Sequence, residues 1–203
     1  MKRQTFSKSG IGASLLRKED DRYMRGRGEF VADIRLAGMR EVAFYRSPVA
    51  HAQIQSIEKP SQYLKQVFTS DDMANVKSIR AETALKGFKT SSQSPLAKTK
   101  VRHVGELVAM CLADTRAEAE DIATQVYAEL EELPTVVDMD AAKLKGAPLV
   151  HEEWGDNIFL QSICEGNLEP AKAEAAITVT REIRTNWQCM APLEGKGVVA
   201  YWD

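Results

Sequence analysis

The 203-residue chain lacks the features of a membrane protein, an exported protein or a nucleic-acid-binding protein. No apolar run approaches the roughly 20 residues that a membrane helix needs. Met1 to Ser9 is mostly polar and basic, without the apolar core of a signal peptide. The 27 Lys and Arg residues are balanced by 29 Asp and Glu residues, so no basic excess is available to bind phosphates. The sequence therefore predicts a folded cytoplasmic protein that binds neither nucleic acid nor membrane.

Cysteine and histidine are also scarce, with three residues of each. The six residues are far apart in the sequence: Cys111, Cys164, Cys189, His51, His103 and His151. An odd number of distant cysteines favours reduced thiols over a disulfide framework. None of the spacings is the C-x-x-C or H-x-x-x-H that zinc sites use, so we predict no metal site in this chain. Gly26-x-Gly28 is too short for a dinucleotide fingerprint and indicates a turn.

The most informative segment present is an apolar strand that leads into a capped helix. Leu107 to Ala113 is apolar throughout, which is typical of a strand covered on both faces. Asp114 or Thr115 can cap the following helix, and Glu118 completes a capping box with Thr115. One helical face would carry Ala119, Ile122, Ala123, Val126, Tyr127 and Leu130. The pattern predicts a helix that packs on this strand and stops at Pro134.

Other segments up to residue 138 predict a mixture of strands and short turns. Alternating polarity predicts strands over Phe30–Leu36, Glu41–Arg46 and Ala52–Ile57, with a turn at Ala37-Gly38. Ser70, Asp71 and Asp72 indicate the capped start of a short helix. Thr90 to Thr99 has the composition of an exposed loop, and Thr135 to Asp138 that of a short returning strand.

The composition changes beyond residue 140. Asp140 to Asn157 shows little periodicity and predicts a connector over the surface. Leu168 to Ala175 indicates a brief helical turn, whereas Ala176–Arg184 and Gly197–Asp203 have strand patterns. A terminal strand without a following turn leaves unpaired backbone groups. We therefore expect a partner strand beyond this chain or on another polypeptide, and an exposed apolar patch where it would bind.

Six motifs follow one another along the chain: Ile11–Ser14 with Arg17–Asp20, Gly26–Ile34, Arg46–Ile54, Val104–Ala109, Tyr127 with Glu131–Pro134, and Met190–Gly195. In this order they resemble the beginning of the large molybdenum-binding subunit of the xanthine dehydrogenase, aldehyde oxidase and carbon monoxide dehydrogenase family. The resemblance covers nearly the whole chain, with Leu107 where the family usually has proline and Met190–Gly195 departing from the familiar HxPMEP.

The resemblance implies an α+β fold: an α/β-hammerhead domain followed by the first strands of a molybdopterin-binding domain. The expected division is an N-terminal arm at 1–14, the hammerhead domain at 15–134, a linker at 135–157 and the truncated start of the molybdopterin-binding domain at 158–203.

For function, the resemblance implies hydroxylation of an aldehyde, purine or N-heteroaromatic carbon with water as the oxygen source. Molybdopterin cytosine dinucleotide or a related molybdenum cofactor would be bound by the complete enzyme, and iron-sulfur clusters and FAD on partner subunits would carry the electrons away. The implied partners are the remainder of the molybdopterin-binding subunit, the iron-sulfur and flavin subunits, and a small-molecule substrate. The family's catalytic base lies beyond this chain, so no catalytic residue is assigned here and the isolated chain is expected to be inactive.

Gln188 and Glu194 are the two candidate cofactor-binding residues, because the resemblance places their segment at the start of the cofactor-binding region. The alternative for Glu194 is a structural hydrogen bond or ion pair near the glycines at 195 and 197. His51 has two similar interpretations, as a ligand or base or as a structural residue that fixes a loop. Glu129, Glu131 and Glu132 are interpreted as a solvated helix end.

Two other function classes remain open from the sequence. One is a non-catalytic scaffold or interaction module that retains the hammerhead fold without the catalytic portion. The other is an unrelated α+β domain that binds a small ligand. The presence of the remaining molybdopterin-binding sequence in the same or a neighbouring gene would separate the first of these from an enzyme component.

Overall fold

The computed structural model describes residues 10, 11, 13, 15–162, 166–186 and 188–203. Most of the predicted N-terminal arm and Cys164 lie outside the described residues. The chain divides into two units, one formed by Met1–Ala37 with Val179–Asp203 and the other by Gly38–Thr178. Among the described residues, no helix combines the length and the hydrophobicity that crossing a bilayer requires.

The Gly38–Thr178 unit contains eight strands and two α-helices among its described residues. The strands are β1 (Glu41–Arg46), β2 (Ala52–Glu58), β3 (Val67–Phe68), β4 (Ile79–Arg80), β5 (Ser92–Gln93), β6 (Lys100–Val101), β7 (Leu107–Ala113) and β8 (Tyr127–Glu132). They form sheets with the orders β1-β7-β3, β6-β2-β8 and β4-β5, and every pair of neighbours is antiparallel. The helices are α2 (Arg116–Thr124) and α3 (Glu169–Glu174), and α1 (Asp20–Met24) belongs to the other unit. This is the predicted α+β class.

Strand β7 supplies side chains to two hydrophobic cores. Its residues 109, 111 and 113 are buried in the core beneath α2, where they join Ala119, Ile122, Ala123 and Val126. Val108 lies in the second core with Ala52, Val101 and Ala128. Alternate residues of a strand point to opposite faces, so one apolar strand can support both cores. The predicted bounds of β7 and its coverage on both faces are confirmed.

Helix α2 begins as the capping box predicts. The Thr115 hydroxyl accepts a hydrogen bond from the Glu118 N–H at 3.3 Å, and the Glu118 carboxylate accepts one from the Thr115 N–H at 3.1 Å. Each bond satisfies an amide that has no partner within the helix.

Replacing Thr115 with alanine is expected to lower the free energy of unfolding by about 1 kcal/mol, because the Glu118 amide loses its acceptor. Thr115→Ser keeps the hydroxyl and serves as the control in urea unfolding followed by circular dichroism. Equal loss of stability in both variants would contradict the capping role.

The predicted end of this helix is wrong. Helix α2 stops at Thr124, and the next residues form β8, which pairs with β2 in a register that sets Leu130 opposite Ile54. Ala128 is buried while Tyr127 is 58% exposed, so the period changes from helical to alternating. Strand pairing thus overrides the helical periodicity. The acidic residues read as a helix end instead lie on β8, where Glu131 accepts a hydrogen bond from Gln55 at 2.6 Å.

Four strand predictions are also wrong. Phe30–Leu36 contains a 3-10 helix at Val31–Asp33, because the Asp33 carboxylate accepts the Phe30 N–H at 3.0 Å and closes a turn. Thr135 to Asp138 forms no strand. The 176–184 and 197–203 segments form no ladder among the described residues either, since a strand needs a hydrogen-bonding neighbour. Large exposed apolar side chains, including Ile177, Ile183 and Trp202, mark these last segments.

Shorter predicted features have mixed outcomes. The strands at β1 and β2, the turn at Gly38 and the helical turn at α3 are confirmed. Ser70–Met73 is a 3-10 helix, and Asp72 accepts the Thr69 N–H at 2.7 Å as a capping carboxylate. The loop predicted at Thr90 to Thr99 is only partly exposed, because Leu96 and Ala97 are buried and Ser92–Gln93 forms β5.

Candidate functional site

Three of the segments that carry the family resemblance meet at one junction in the Gly38–Thr178 unit. The Ser47 N–H donates to the Glu106 carbonyl at 2.9 Å, and the Gly105 N–H donates to the Ser47 carbonyl at 2.8 Å. The Arg46 guanidinium donates to the Gly105 carbonyl at 2.9 Å. The third segment arrives through the Leu133 N–H, which donates to the His51 carbonyl at 2.8 Å. We name these residues, with Pro134, the motif junction.

His51 is one of the buried side chains at this junction, with 5% exposure. Its Nδ1 lies 2.7 Å from the Pro134 carbonyl oxygen, which can only accept, so Nδ1 carries the hydrogen and donates. Its Nε2 is buried and has no hydrogen-bond partner among the described residues. This geometry supports the structural interpretation of His51, because the ring fixes the end of β8 and is closed to substrate.

Replacing His51 with alanine is expected to lower the free energy of unfolding by about 1.5 kcal/mol, because the Pro134 carbonyl loses its donor and a buried volume is emptied. His51→Asn is the matched control, since its amide nitrogen can take the place of Nδ1. Urea unfolding of both variants checks this expectation, and an Asn variant no more stable than the Ala variant would contradict the donor role.

Glu106 is a buried carboxylate that the sequence analysis did not single out. It is 7% exposed and accepts a hydrogen bond from the Arg102 N–H. The His103 Nδ1 lies 3.6 Å from the same carboxylate. The sequence signal that would have identified Glu106 is its position between Gly105 and the apolar run of β7. A carboxylate buried there needs hydrogen-bond donors inside the protein. Both contacts use Glu106 Oε2, and they tie residues 102, 103 and 106 together around the turn at Gly105.

A second polar cluster holds the predicted linker in place. The side chain of Lys100 is only 4% exposed and forms an ion pair with Glu152. This partner keeps the pKa of the Glu152 carboxyl below its ordinary value, chiefly through the Lys100 hydrogen bond. Arg102 Nε donates to the Val150 carbonyl at 3.3 Å. We name residues 150–159 the strap.

The strap is also held at its centre. Trp154 Nε1 donates to the Thr90 carbonyl at 3.0 Å, and the Lys89 ammonium donates to the Trp154 carbonyl at 3.2 Å. The same ammonium forms an ion pair with Asp156 at 2.5 Å. The 140–157 segment, predicted as a connector over the surface, contains no buried residue. It also contains 3-10 helices at Ala141–Lys143 and Glu152–Trp154 and the specific contacts given above, which its weak periodicity did not predict.

The two candidate cofactor-binding residues lie in the other unit, and both are exposed. Glu194 Oε1 accepts a hydrogen bond from the Val31 N–H at 3.0 Å. Within the described part of the chain, no hydrogen bond or ion pair joins Gln188 and Glu194. Of the two described cysteines, Cys111 is buried, which raises the pKa of its thiol, and Cys111 and Cys189 form no disulfide among the described residues.

Glu194 does not have the chemistry to bind the phosphates of a molybdopterin group directly. A pterin nucleotide presents phosphates, which proteins hold with backbone amides, Lys and Arg. Glu194 is negatively charged, as a phosphate is, and its Oε1 already accepts a hydrogen bond from the Val31 N–H. In the part of the chain that the structure describes, no three His, Cys, Asp or Glu side chains converge as a metal site. We assign no step of a redox reaction to these side chains.

Comparison with known proteins gives a consistent set of relatives. The nicotine 6-hydroxylase large subunit of Paenarthrobacter nicotinovorans is 33% identical over 98% of this chain and 25% of its own length. The carbon monoxide dehydrogenase large chain of Hydrogenophaga pseudoflava is 32% identical over 96% of this chain and 26% of its own length. The chain thus spans about a quarter of these curated relatives.

Solved structures agree with these relatives. Quinoline 2-oxidoreductase from Pseudomonas putida 86 matches with a TM-score of 0.72 and 40% identity, over 84% of this chain and 22% of that chain. Aldehyde oxidoreductase from Desulfovibrio gigas matches with a TM-score of 0.66 and 26% identity, over 80% of this chain and 19% of that chain.

The family model described as "Aldehyde oxidase and xanthine dehydrogenase, a/b hammerhead domain" matches residues 25–134. This range contains β1 to β8, α2 and the motif junction. The chain belongs to the aldehyde oxidase and xanthine dehydrogenase family and carries its α/β-hammerhead domain.

Proposed function

We propose that this chain is the N-terminal portion, or a split component, of the large subunit of a cytoplasmic molybdenum hydroxylase. The observation that carries the proposal is the alignment of 98% of the chain with the nicotine 6-hydroxylase large subunit at 33% identity. The match extends well beyond the hammerhead domain, which ends at residue 134 in the family model. A domain borrowed alone by an unrelated protein would not align on both sides of that boundary.

The proposed substrate is an N-heteroaromatic compound with a pyridine-type ring, in preference to an aldehyde or a purine. The relative named for nicotine hydroxylation is 33% identical and the structure named for quinoline oxidation is 40% identical. The aldehyde oxidoreductase structure is 26% identical. Nicotine and quinoline both contain a nitrogen heteroaromatic ring, so the two relatives support one substrate chemistry.

The cofactor and the electron carriers are proposed to lie outside this chain. Because the described residues form no cradle for it, the molybdenum cofactor would be held by the remainder of the subunit. When bound there, this group supplies the redox chemistry that adds oxygen from water to a ring carbon. Iron-sulfur and flavin partner subunits would accept the electrons. The proposed contribution of this chain is to scaffold the subunit, and alone it would not oxidise substrate.

The proposed domain organisation keeps 1–14 as an arm, 15–134 as the hammerhead domain, 135–157 as a linker and 158–203 as the start of the molybdopterin-binding domain. The 176–184 and 197–203 segments, which form no strand ladder among the described residues, support the last assignment. Their exposed apolar side chains need to be buried against other residues. In a subunit as long as the curated relatives, the remaining three quarters of the sequence would supply strands that bury them.

The test is to purify the chain with and without its neighbouring gene products. Molybdenum and pterin nucleotide are measured in both preparations, together with dye-linked oxidation of quinoline, a purine and an aldehyde. Reaction in ¹⁸O-labelled water identifies the oxygen source from the mass of the product. We expect metal, activity on quinoline and labelled product only in the complex. No molybdenum in either preparation would favour a non-catalytic scaffold, and metal in the chain alone would contradict the proposed division.

A further inference from the structure

Residues 30–35 form a turn that its own side chains hold in shape. The Phe30 N–H donates to the Asp33 carboxylate at 3.0 Å. The Arg35 guanidinium donates to the carbonyls of Ala32 and Ile34, both at 2.8 Å. These bonds fix the backbone of the turn, so the Val31 N–H points in a fixed direction.

Val31 receives two contacts from a segment far along the chain. Its N–H donates to Glu194 Oε1 across 163 positions of sequence at 3.0 Å. Gly197 approaches its side chain so closely that an added Cβ would lie 2.6 Å from Val31 Cγ1 and 2.9 Å from Val31 Cβ. The contacts are independent, since one uses a backbone amide and a carboxylate and the other needs the absence of a side chain.

We infer that Glu194 and Gly197 form a clasp on Val31 that positions residues 188–197, and that Glu194 is a positioning residue rather than a ligand of the cofactor. The inference rests on the proposed function for its consequence, because this segment is the proposed start of the cofactor-binding region. Ala191, inside the segment, has a φ of 37°, in a region that disfavours side chains. A strained turn persists only where its surroundings hold it, and the clasp lies directly after it.

The contact itself is tested by amide hydrogen exchange at Val31 in the complete subunit. Glu194→Ala is expected to speed exchange at Val31 about tenfold, because the amide loses a charged acceptor. Glu194→Gln keeps a carbonyl oxygen in the same place and should leave the exchange rate close to that of the wild type. Lys196→Ala, an exposed residue between the two clasp positions, is the matched control. Unchanged exchange in Glu194→Ala would overturn the clasp, and this reading needs no bound cofactor.

The consequence is tested in the purified complex by molybdenum content and by kcat and KM. A positioning residue predicts that Glu194→Ala lowers molybdenum content severalfold, whereas Glu194→Gln restores it and keeps the pH profile of kcat. Equal losses in the Ala and Gln variants would overturn the inference, because they would mean that the charge or a proton on Glu194 is used directly. Normal content and rate in both would overturn it as well.

The close approach at residue 197 gives a second variant that leaves Glu194 intact. Gly197→Ala is expected to lower molybdenum content as Glu194→Ala does, and adding Val31→Ala should restore part of it by removing both Cγ atoms. Failure of the second substitution to restore any content would contradict the packing half of the clasp. A wild-type complex without molybdenum would defeat the proposed function, while Val31 exchange would still decide the clasp.

Discussion

Replacing Ile122 with alanine is expected to lower the free energy of unfolding by about 3 kcal/mol. Ile122 is 3% exposed and lies on α2 in the core formed with β1, β3 and β7. Removing three buried carbons loses the favourable free energy of their transfer from water to the core. It also leaves a cavity that small neighbours such as Ala109 and Ala119 cannot fill.

Urea unfolding of the full chain, followed by circular dichroism, measures this loss. Ile122→Val removes one carbon and is expected to lower the free energy of unfolding by about 1 kcal/mol, so the two variants form a graded pair. If both variants unfold at the wild-type urea concentration, α2 does not pack on β7 as described.

Breaking the Lys100–Glu152 ion pair from the Glu152 side is expected to lower the free energy of unfolding by about 2 kcal/mol, because the buried ammonium loses its partner. The loss stays below that of a fully buried pair, since the Glu152 side chain is 59% exposed and water screens it. Lys100→Met removes the charge and keeps the apolar stem, so it should change stability by less than about 1 kcal/mol. The double variant Lys100→Met with Glu152→Ala completes a double-mutant cycle, which gives the interaction free energy of the pair.

The same pair predicts a dependence of stability on pH. The pKa of Glu152 is lower in the folded chain than in the unfolded chain, so the unfolded chain binds the proton more tightly. The stabilisation is fully present above the ordinary glutamate pKa of about 4.3 and is lost as the pH falls through the lower folded value. Urea unfolding between pH 7 and the acid range should show this component in the wild type and not in Glu152→Ala. An identical acid dependence in both would assign it to other carboxylates.

Local patterns predicted the elements whose stability depends on local chemistry. The apolar run of β7 and the capping box of α2 each involve residues close in sequence, and the structure has both where the pattern puts them. The wrong predictions are at segments whose conformation depends on pairing with residues distant in the sequence. Tyr127–Glu132 satisfies the helical pattern, but pairing with β2 gives its backbone groups partners that also bury Ala128.

The candidate site was less predictable than the fold. The resemblance selected Glu194, but nothing near it in sequence identifies Val31 as its partner, because the two are 163 positions apart. The pairing of Lys100 with Glu152 was equally hidden, since a buried lysine has the same sequence pattern as an exposed one. For His51, the sequence left a ligand and a structural residue open, and only the carbonyl of Pro134 beside Nδ1 favours the second.

The position of β7 in the middle of its sheet also has a consequence for synthesis. Chains emerge from the ribosome in sequence order, and β1 and β3 both pair with β7, which follows them. Neither earlier strand has its neighbour until residue 113 has been translated, and the apolar face of β7 is covered only when α2 follows. The strands β1 and β3 must therefore wait without their sheet partner during translation, and the β1-β7-β3 sheet closes late. A ribosome stalled before residue 113 should present a chain that chaperones and proteases still recognise as unfolded.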